Sequence, residues 1–156
     1  MTSYRIIALA SSELERVRSR GRDDFGNALA ITTNHEQGGA PLRCCLQEAE
    51  VGERVALMAH RPSPVPGAYA EVGPVFVHAG PCAGWTRTGY PSAFRWRRQL
   101  LRAYDREGRQ VDNVLAEPGE AEACIESLLD RPEVAFVHSR NPMAGCFMFT
   151  VERTPA

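Results

Sequence analysis

The sequence predicts an α+β fold, with a mixed, mostly antiparallel sheet of about seven strands and two helices in a single domain. Short apolar runs bounded by Gly, Pro, Asn and Asp follow one another along most of the chain, as consecutive β-strands do. Only two segments show the helical spacing of apolar residues. Because few helices intervene between strands, antiparallel pairing is expected. The length of 156 residues and the 44% hydrophobic content favour one domain over residues 1–156.

The first half of the chain alternates strands with turns. An apolar run opens the chain, and Ser12-Glu13-Leu14-Glu15 then matches a capping box, which predicts a helix that ends near Gly21. Three prolines in residues 61–67 exclude a helix and a central strand there. The apolar runs of this half, each bounded by turn residues, predict strands at residues 4–9, 28–33, 54–60 and 75–78.

The second half contains a long loop, a hairpin and the second helix. Residues 79–94 show no regular pattern, and Gly108 marks the turn of a hairpin. Pro118 suits the first turn of a helix over residues 118–130. The predicted buried face of this helix is Ala121, Cys124, Ile125 and Leu128. Strands are predicted at residues 97–104, 110–115, 134–138 and 146–151. The residues expected to be buried are Val75, Val77, Val134, Phe136, Val137, Phe147 and Phe149.

Composition and charge argue against several classes of protein. The net charge of -1 and the pI of about 6.4 argue against a nucleic-acid-binding protein. We also expect no membrane segment, since no apolar run approaches the ~20 residues of a membrane span, and no signal peptide, since the apolar run of residues 6–10 is shorter than the hydrophobic region of one. The five cysteines, an odd number, predict free thiols in a cytoplasmic protein, the adjacent Cys44 and Cys45 included. All 18 basic residues are arginine, which indicates GC-rich bacterial codon usage.

Several short motifs resemble those of a known family. They are Arg43-Cys44-Cys45-Leu46 with Gly52-Glu53, Gly73-Pro74-Val75-Phe76-Val77-His78, Leu101-Arg102-Ala103-Tyr104-Asp105 with Gly108-Arg109, Phe136-Val137-His138-Ser139-Arg140-Asn141 and Gly145-Cys146-Phe147. With these motifs, nearly the whole chain resembles a bacterial family of small proteins, domain of unknown function 1203. The resemblance implies a bacterial protein of a single domain, and it brings no activity, cofactor or catalytic residue.

Two predicted strands end in the same way. Phe76-Val77-His78 is followed by Cys82, and Phe136-Val137-His138 is followed by Cys146. Histidine and cysteine are suited to acid–base, nucleophilic and metal chemistry near neutral pH. The catalytic candidates are therefore His78, His138 and Cys146. No metal is predicted; the alternative is a zinc site of His78, Cys82, His138 and Cys146, although the spacing from His138 to Cys146 matches no zinc motif. The histidines could instead bond the following loops, with both cysteines in the core.

An arginine-rich segment with aromatic residues provides the second group of candidates. Residues 85–106 contain six arginines, one acidic residue and both tryptophans. Arginine beside aromatic rings is typical of phosphate and ring binding. Ser139-Arg140-Asn141-Pro142 adds a guanidinium and an amide directly after a strand. The predicted ligand-binding residues are Arg140, Asn141, Arg87 and Trp85. These arginines could instead form a solvated strand face that pairs with the acidic residues of the segment 107–133.

These candidates predict a binder of a small anionic molecule that bears a phosphate or carboxylate. Its pocket would lie where His78 and His138 end, beneath the loop 79–94, and protonated histidines would add positive charge near neutral pH. One alternative is a hydrolase or transferase that uses His138 or Cys146. Another is a protein-interaction module that uses the loop bearing Trp85 and Trp96. The sequence leaves the cofactor unknown and homo-oligomer formation open.

Overall fold

A computed structural model of the protein describes residues 2–156. Within them, it contains ten strands, two α-helices and one short 3-10 helix at Ser92–Phe94. The strands are β1 (Tyr4–Ile7), β2 (Ala30–Thr33), β3 (Pro41–Leu42), β4 (Gln47–Glu48), β5 (Arg54–His60), β6 (Gly73–His78), β7 (Gln99–Tyr104), β8 (Gln110–Ala116), β9 (Phe136–Arg140) and β10 (Phe147–Arg153). The helices are α1 (Ser11–Arg20) and α2 (Ala121–Leu129).

The strands form two sheets, so the α+β class is confirmed and the single sheet of about seven strands is wrong. The first sheet has the order β1-β10-β9-β7-β8 and is antiparallel throughout. The second has the order β2-β5-β6-β3-β4 and is mixed, because β3 pairs parallel with β6 through Leu42 and Phe76. The strands β3 and β4 have only two residues each, too few to show the alternation that predicts a strand.

The first sheet packs one face on α2. The helix contributes Ala121, Ile125, Leu128 and Leu129 to the core; Cys124 is only partly buried. All five residues of β9 are buried, because it is the central strand and both of its faces are covered. Val137 and Phe149 lie in the core beneath α2. The seven strand residues predicted to be buried are all buried, which confirms that prediction.

The second sheet packs against α1 through Leu14 and Val17. This helix ends as predicted at Gly21, whose φ of 72° lies in the left-handed region that glycine adopts readily. The predicted capping box is wrong, because the N-cap is Ala10 and no side chain caps the helix. Neither α1 nor α2 has the length and apolar character needed to cross a membrane, within the residues described.

The turn at residues 42–46 joins the two cores. Leu42 and Cys44 are buried in the core of the second sheet, whereas Leu46, at a φ of 55°, is buried in the core of the first. Between them, the Arg43 side chain is 1% exposed. Its guanidinium donates hydrogen bonds to the carbonyls of Phe147 at 2.6 Å and Pro41 at 2.5 Å. A buried guanidinium therefore connects the two sheets.

A proline-rich segment (residues 61–72) also joins the sheets. It connects β5 and β6 of the second sheet and lies against the first. Glu71 near its end forms ion pairs with Arg102 of β7 and Arg140 of β9. Val65 lies so close to Gly108, after β7, that a Cβ atom on this glycine would be 2.9 Å from the Val65 Cβ. The segment therefore covers the face of the first sheet that α2 leaves free.

Candidate functional site

The face of the first sheet opposite α2 has polar side chains at its centre. Side chains alternate along a strand, so Phe136, His138 and Arg140 point to this face, away from the Val137 side that meets α2. Arg102 of the neighbouring strand lies directly opposite His138 in the register. Tyr104 stacks on Phe136, with ring centroids 5.1 Å apart. The face therefore changes from aromatic at one end to cationic at the other.

The cationic end opens into a cleft of about 230 Å³, which we call the arginine cleft. It is bounded by Arg102 and Arg140 of the first sheet, by the proline-rich segment and by residues 144–147. His60, at the end of β5, also lines it. The arginine cleft thus lies at the junction of the two sheets.

Two guanidinium groups hold a carboxylate in the arginine cleft. Arg102 Nη1 lies 3.2 Å from Glu71 Oε1, and Arg140 Nη1 lies 3.4 Å from Glu71 Oε2. Arg140 is 5% exposed, and it also donates from Nη1 to the Gly145 carbonyl at 3.0 Å. Its buried Nε has no hydrogen-bond partner among residues 2–156. The Glu71 side chain, in contrast, is 50% exposed, so it can leave the cleft without disturbing the core.

His138 is buried next to the arginine cleft and cannot supply the positive charge expected of it. The residue is 1% exposed, and neither ring nitrogen has a hydrogen-bond partner in the described part of the chain. Burial lowers the pKa of His138 to about 3, and the charges of Arg140, His60 and Arg102 act in the same direction. The ring is therefore neutral at physiological pH, and the expectation that it gains charge there is wrong for His138.

Cys146 lines the arginine cleft. Its Sγ lies 3.2 Å from Nη2 of Arg43, the buried arginine at the sheet junction. The structure therefore brings the predicted residues Arg140 and Cys146 to one cleft and places His138 close by. Asn141 follows Arg140, but its Oδ1 accepts hydrogen bonds from the amides of Met143 and Ala144 and so closes the turn before β10.

The loop 79–94 does not line the arginine cleft. Trp85 is half-buried against the core of the first sheet, and Arg87 is exposed. Other arginines of the segment 85–106 pair with acids far away in sequence, as in the ion pairs of Arg95 with Glu122 and Arg97 with Glu48. Trp96 is 58% exposed, with the Arg97 guanidinium 4.5 Å from its ring centre.

His78 belongs to a different constellation, on the second sheet. The ligand atoms of Cys44, Cys45, His78 and Cys82 all lie within 4.8 Å of one another, and we call these residues the thiol cluster. The Sγ atoms of Cys44 and Cys45 are 3.4 Å and 3.7 Å from His78 Nδ1. The other ring nitrogen, Nε2, is 2.7 Å from Glu53 Oε1. His78 and Cys82 thus come together, whereas His138 and Cys146 lie elsewhere.

The parallel pairing of β3 with β6 builds the thiol cluster. It places the turn after β3, with Cys44 and Cys45, beside His78 at the end of β6. The His78 amide donates to Cys44 Sγ at 3.3 Å, and the Gly84 amide donates to Cys82 Sγ at 3.4 Å. The adjacent cysteines were visible in the sequence, but nothing in their spacing indicated that His78 would lie beside them.

The thiols of the cluster differ in their acidity. A hydrogen bond from the Cys45 thiol lowers the pKa of Cys44, the His78 amide and ring act in the same direction, and burial opposes them. The same bond to Cys44 raises the pKa of Cys45, with burial as the second cause. Burial raises the pKa of Cys82. One sulfur is therefore favoured as a thiolate, and its two neighbours as thiols.

Comparison with known proteins identifies a family. A family model described as "Protein of unknown function (DUF1203)" matches residues 39–153. The chain belongs to this family. The matched range spans β3 to β10 and so includes the arginine cleft and all four residues of the thiol cluster. Searches of curated proteins and of solved structures gave no match for the DUF1203 chain.

Proposed function

We propose that this protein binds a small molecule with a carboxylate or phosphate group in the arginine cleft. The observation that carries the proposal is the position of the Glu71 carboxylate between Arg102 and Arg140. The two ion pairs of the Glu71 carboxylate support an anion site at this position, because guanidinium groups suit both carboxylate and phosphate. Because Glu71 is half-exposed, a ligand anion can take its place while the two arginines keep their positions.

The charges in the arginine cleft favour a ligand with at least one negative charge. Arg102 and Arg140 are balanced by Glu71 alone within the cleft lining, so the lining carries a positive charge before His60 is counted. The His60 ring itself lies 3.6 Å from the Glu13 carboxylate. Arg140 also keeps one buried N–H without a partner, and an additional acceptor oxygen would satisfy part of this donor capacity.

The volume of the cleft favours a small ligand. At about 230 Å³ it lies below the range of roughly 300–1,000 Å³ typical of pockets for drug-sized molecules. Two hydrogen bonds to charged groups and competition from Glu71 lead us to expect a dissociation constant on the order of 0.1–1 mM for a simple anion such as phosphate or acetate. Additional contacts would be needed for tighter binding.

The test is a titration with phosphate and with acetate, followed by calorimetry or by NMR chemical shifts. Arg102→Gln should weaken binding roughly tenfold, the loss of one hydrogen bond to a charged group. Glu71→Gln removes the competing carboxylate and should strengthen binding up to about fivefold, because a half-exposed ion pair contributes at most about 1 kcal/mol. Arg98→Gln is the control, since Arg98 pairs with Glu117 outside the cleft.

The opposite response to the two charge changes distinguishes the cleft from non-specific binding. If Glu71→Gln and Arg102→Gln both leave the affinity unchanged, or if Arg98→Gln weakens it equally, the anion binds elsewhere. Arg140 is less useful as a first variant, because its side chain is buried and its removal would disturb the turn at Gly145.

A second candidate function is catalysis by Cys146, since its thiol lines the same cleft and contacts Arg43. A nucleophile beside an anion site suits hydrolysis or group transfer on an anionic substrate. The test compares alkylation of Cys146 by iodoacetate, which is an anion, with alkylation by neutral iodoacetamide, each site being followed by peptide mass spectrometry. A preference for iodoacetate that disappears in Arg102→Gln supports a reactive thiol in the cleft. If neither reagent alkylates Cys146, catalysis by this residue is ruled out.

A further inference from the structure

We infer that the thiol cluster of Cys44, Cys45, His78 and Cys82 is a structural zinc site. Its four candidate ligand atoms lie within 4.8 Å of one another, at a place the anion proposal does not use. Three sulfurs and one imidazole nitrogen are a ligand set that favours zinc in four-coordinate geometry. Hard cations such as Mg²⁺ and Ca²⁺ prefer oxygen ligands, so this set excludes them.

The distances within the thiol cluster match a tetrahedron around zinc. With Zn–S near 2.3 Å and Zn–N near 2.05 Å, neighbouring ligand atoms of a tetrahedron are about 3.5–3.8 Å apart. The Sγ atoms of Cys44 and Cys45 lie 3.4 Å and 3.7 Å from His78 Nδ1. Since every pair lies within 4.8 Å, none has to close by more than about 1.3 Å.

Consecutive cysteines rarely share a metal, because neighbouring side chains of an extended chain point to opposite sides. Here, the turn before Leu46, which has a φ of 55°, brings both sulfurs to the same ring nitrogen. The turn is held in place on both sides: Leu46 is buried in the core of the first sheet, and the Arg43 backbone amide donates to the Phe76 carbonyl at 2.9 Å.

Glu53 orients the imidazole as a carboxylate beside a metal-bound histidine does. Its Oε1 accepts from His78 Nε2 at 2.7 Å, which leaves the lone pair of Nδ1 directed at the sulfurs. Glu53 is itself fixed, because its Oε2 accepts from the Glu50 amide at 2.9 Å. Arg18 donates twice to the His78 carbonyl, at 2.9 Å and 3.1 Å, and so places a positive charge beside a site whose three thiols would lose their protons when zinc binds.

Burial argues against a catalytic use of this cluster, and geometry argues against a disulfide between its adjacent cysteines. A catalytic Cys44–His78–Glu53 triad would need Cys44 to reach a substrate, but that residue is 1% exposed. A disulfide between the adjacent Cys44 and Cys45 would be strained and easily reduced. Zinc can still arrive, since a cleft of about 450 Å³ between α1 and residues 79–82 extends to Cys82.

The first test measures zinc content. The full chain, produced in medium with added zinc and purified without chelators, should contain one zinc ion per chain by mass spectrometry of the metal. Cys82→Ser and Cys44→Ser should each lose most of it. Cys124→Ser is the matched control, since Cys124 is a partly buried cysteine on α2, outside the cluster. Because Cys82 lies on a loop and is only partly buried, its variant should fold even if the Cys44 variant does not.

The second test concerns affinity and stability. Zinc added to the apoprotein at about one hundred times its dissociation constant should raise the melting temperature by about 5–10 °C. Glu53→Gln should keep the stoichiometry and weaken zinc binding by about 10–100-fold, as expected for a carboxylate that only orients the ligand. Cobalt in place of zinc should give a sulfur-to-metal charge-transfer band that the Cys82 variant lacks.

Four results would overturn the zinc site. One is a wild-type chain that contains no zinc and whose melting temperature zinc leaves unchanged. Another is a native disulfide among the three cysteines, detected by mass spectrometry without reduction. The third is a chain that, produced in medium containing both metals and purified without chelators, contains copper in place of zinc. Equal loss of zinc in Cys124→Ser and Cys82→Ser would also contradict the assignment.

Discussion

Replacement of His138 by leucine should remove a large part of the acid sensitivity of the protein. Burial and nearby positive charges lower the pKa of this histidine to about 3 in the folded chain, against about 6.5 in the unfolded chain. Between these two values the unfolded chain holds a proton that the folded chain does not. Stability therefore falls as the pH decreases from about 6.5 to about 3, and His138→Leu should abolish this part of the decrease.

The size of the effect follows from the two pKa values. With an unfolded pKa of about 6.5, proton uptake by His138 in the unfolded chain lowers the free energy of unfolding of the wild type. The decrease is about 1.4 kcal/mol between pH 7.5 and pH 5.5, and about 2.7 kcal/mol between pH 7.5 and pH 4.5. Leucine is similar in volume to histidine and has no titrating group. Any change in packing against Tyr104 and Phe147 shifts the free energy of unfolding by the same amount at every pH. The change in its slope against pH therefore reports the titration of His138.

Urea denaturation followed by tryptophan fluorescence at a series of pH values measures this slope. His35→Gln is the control, because it replaces an exposed histidine and leaves both cores intact. Identical slopes for the wild type and His138→Leu would refute the reasoning, because they would mean that the folded chain protonates His138 as easily as the unfolded chain does.

Three further changes test the packing that positions the sites, each by the urea midpoint at constant m-value. Arg43→Lys should lower the free energy of unfolding by at least about 2 kcal/mol, since an ammonium group cannot reproduce the forked contacts between the two sheets. An unchanged midpoint would mean that Arg43 does not connect the sheets. Asp23→Ala should cost about 2–4 kcal/mol, because this carboxylate accepts three backbone hydrogen bonds, one from Ala59 at 2.8 Å. Gly108→Ala should cost about 1–3 kcal/mol, because its φ is 77° and the new Cβ would be 2.9 Å from the Val65 Cβ. Adding Val65→Gly, which removes the Cβ that the new methyl group meets, should restore part of that loss, and a purely additive double variant would contradict the close contact.

The local elements of the fold were predictable, and their pairing was not. Apolar spacing was sufficient to place α2 and the buried strand residues, because burial on one side leaves a periodic pattern in the sequence. The strand β3 has only two residues, and such a segment has no period. Its parallel pairing with β6 is what brings Cys44 beside His78, so the thiol cluster could not be found from cysteine and histidine spacing alone.

The similar Phe-Val-His motifs occupy different positions in their strands. His78 is the last residue of β6, as predicted, whereas β9 continues past His138 to Arg140. His138 is therefore a buried residue in the middle of a central strand, and only Arg140, two residues later on the same face, reaches the cleft. Arg140 was identifiable from its charge, but its partner Glu71 lies 69 residues earlier in the chain and left no local signal.

The turn at residues 42–46 has a consequence for how the molecule comes apart. Within five residues it contributes Leu42 to one core and Leu46 to the other. Neither sheet can open near this turn without exposing a buried leucine or breaking the bonds of Arg43. The two sheets should therefore unfold as one cooperative unit, and their slowest-exchanging amide protons should report a common free energy of opening. Two five-stranded sheets with separate cores would then behave as a single foldon.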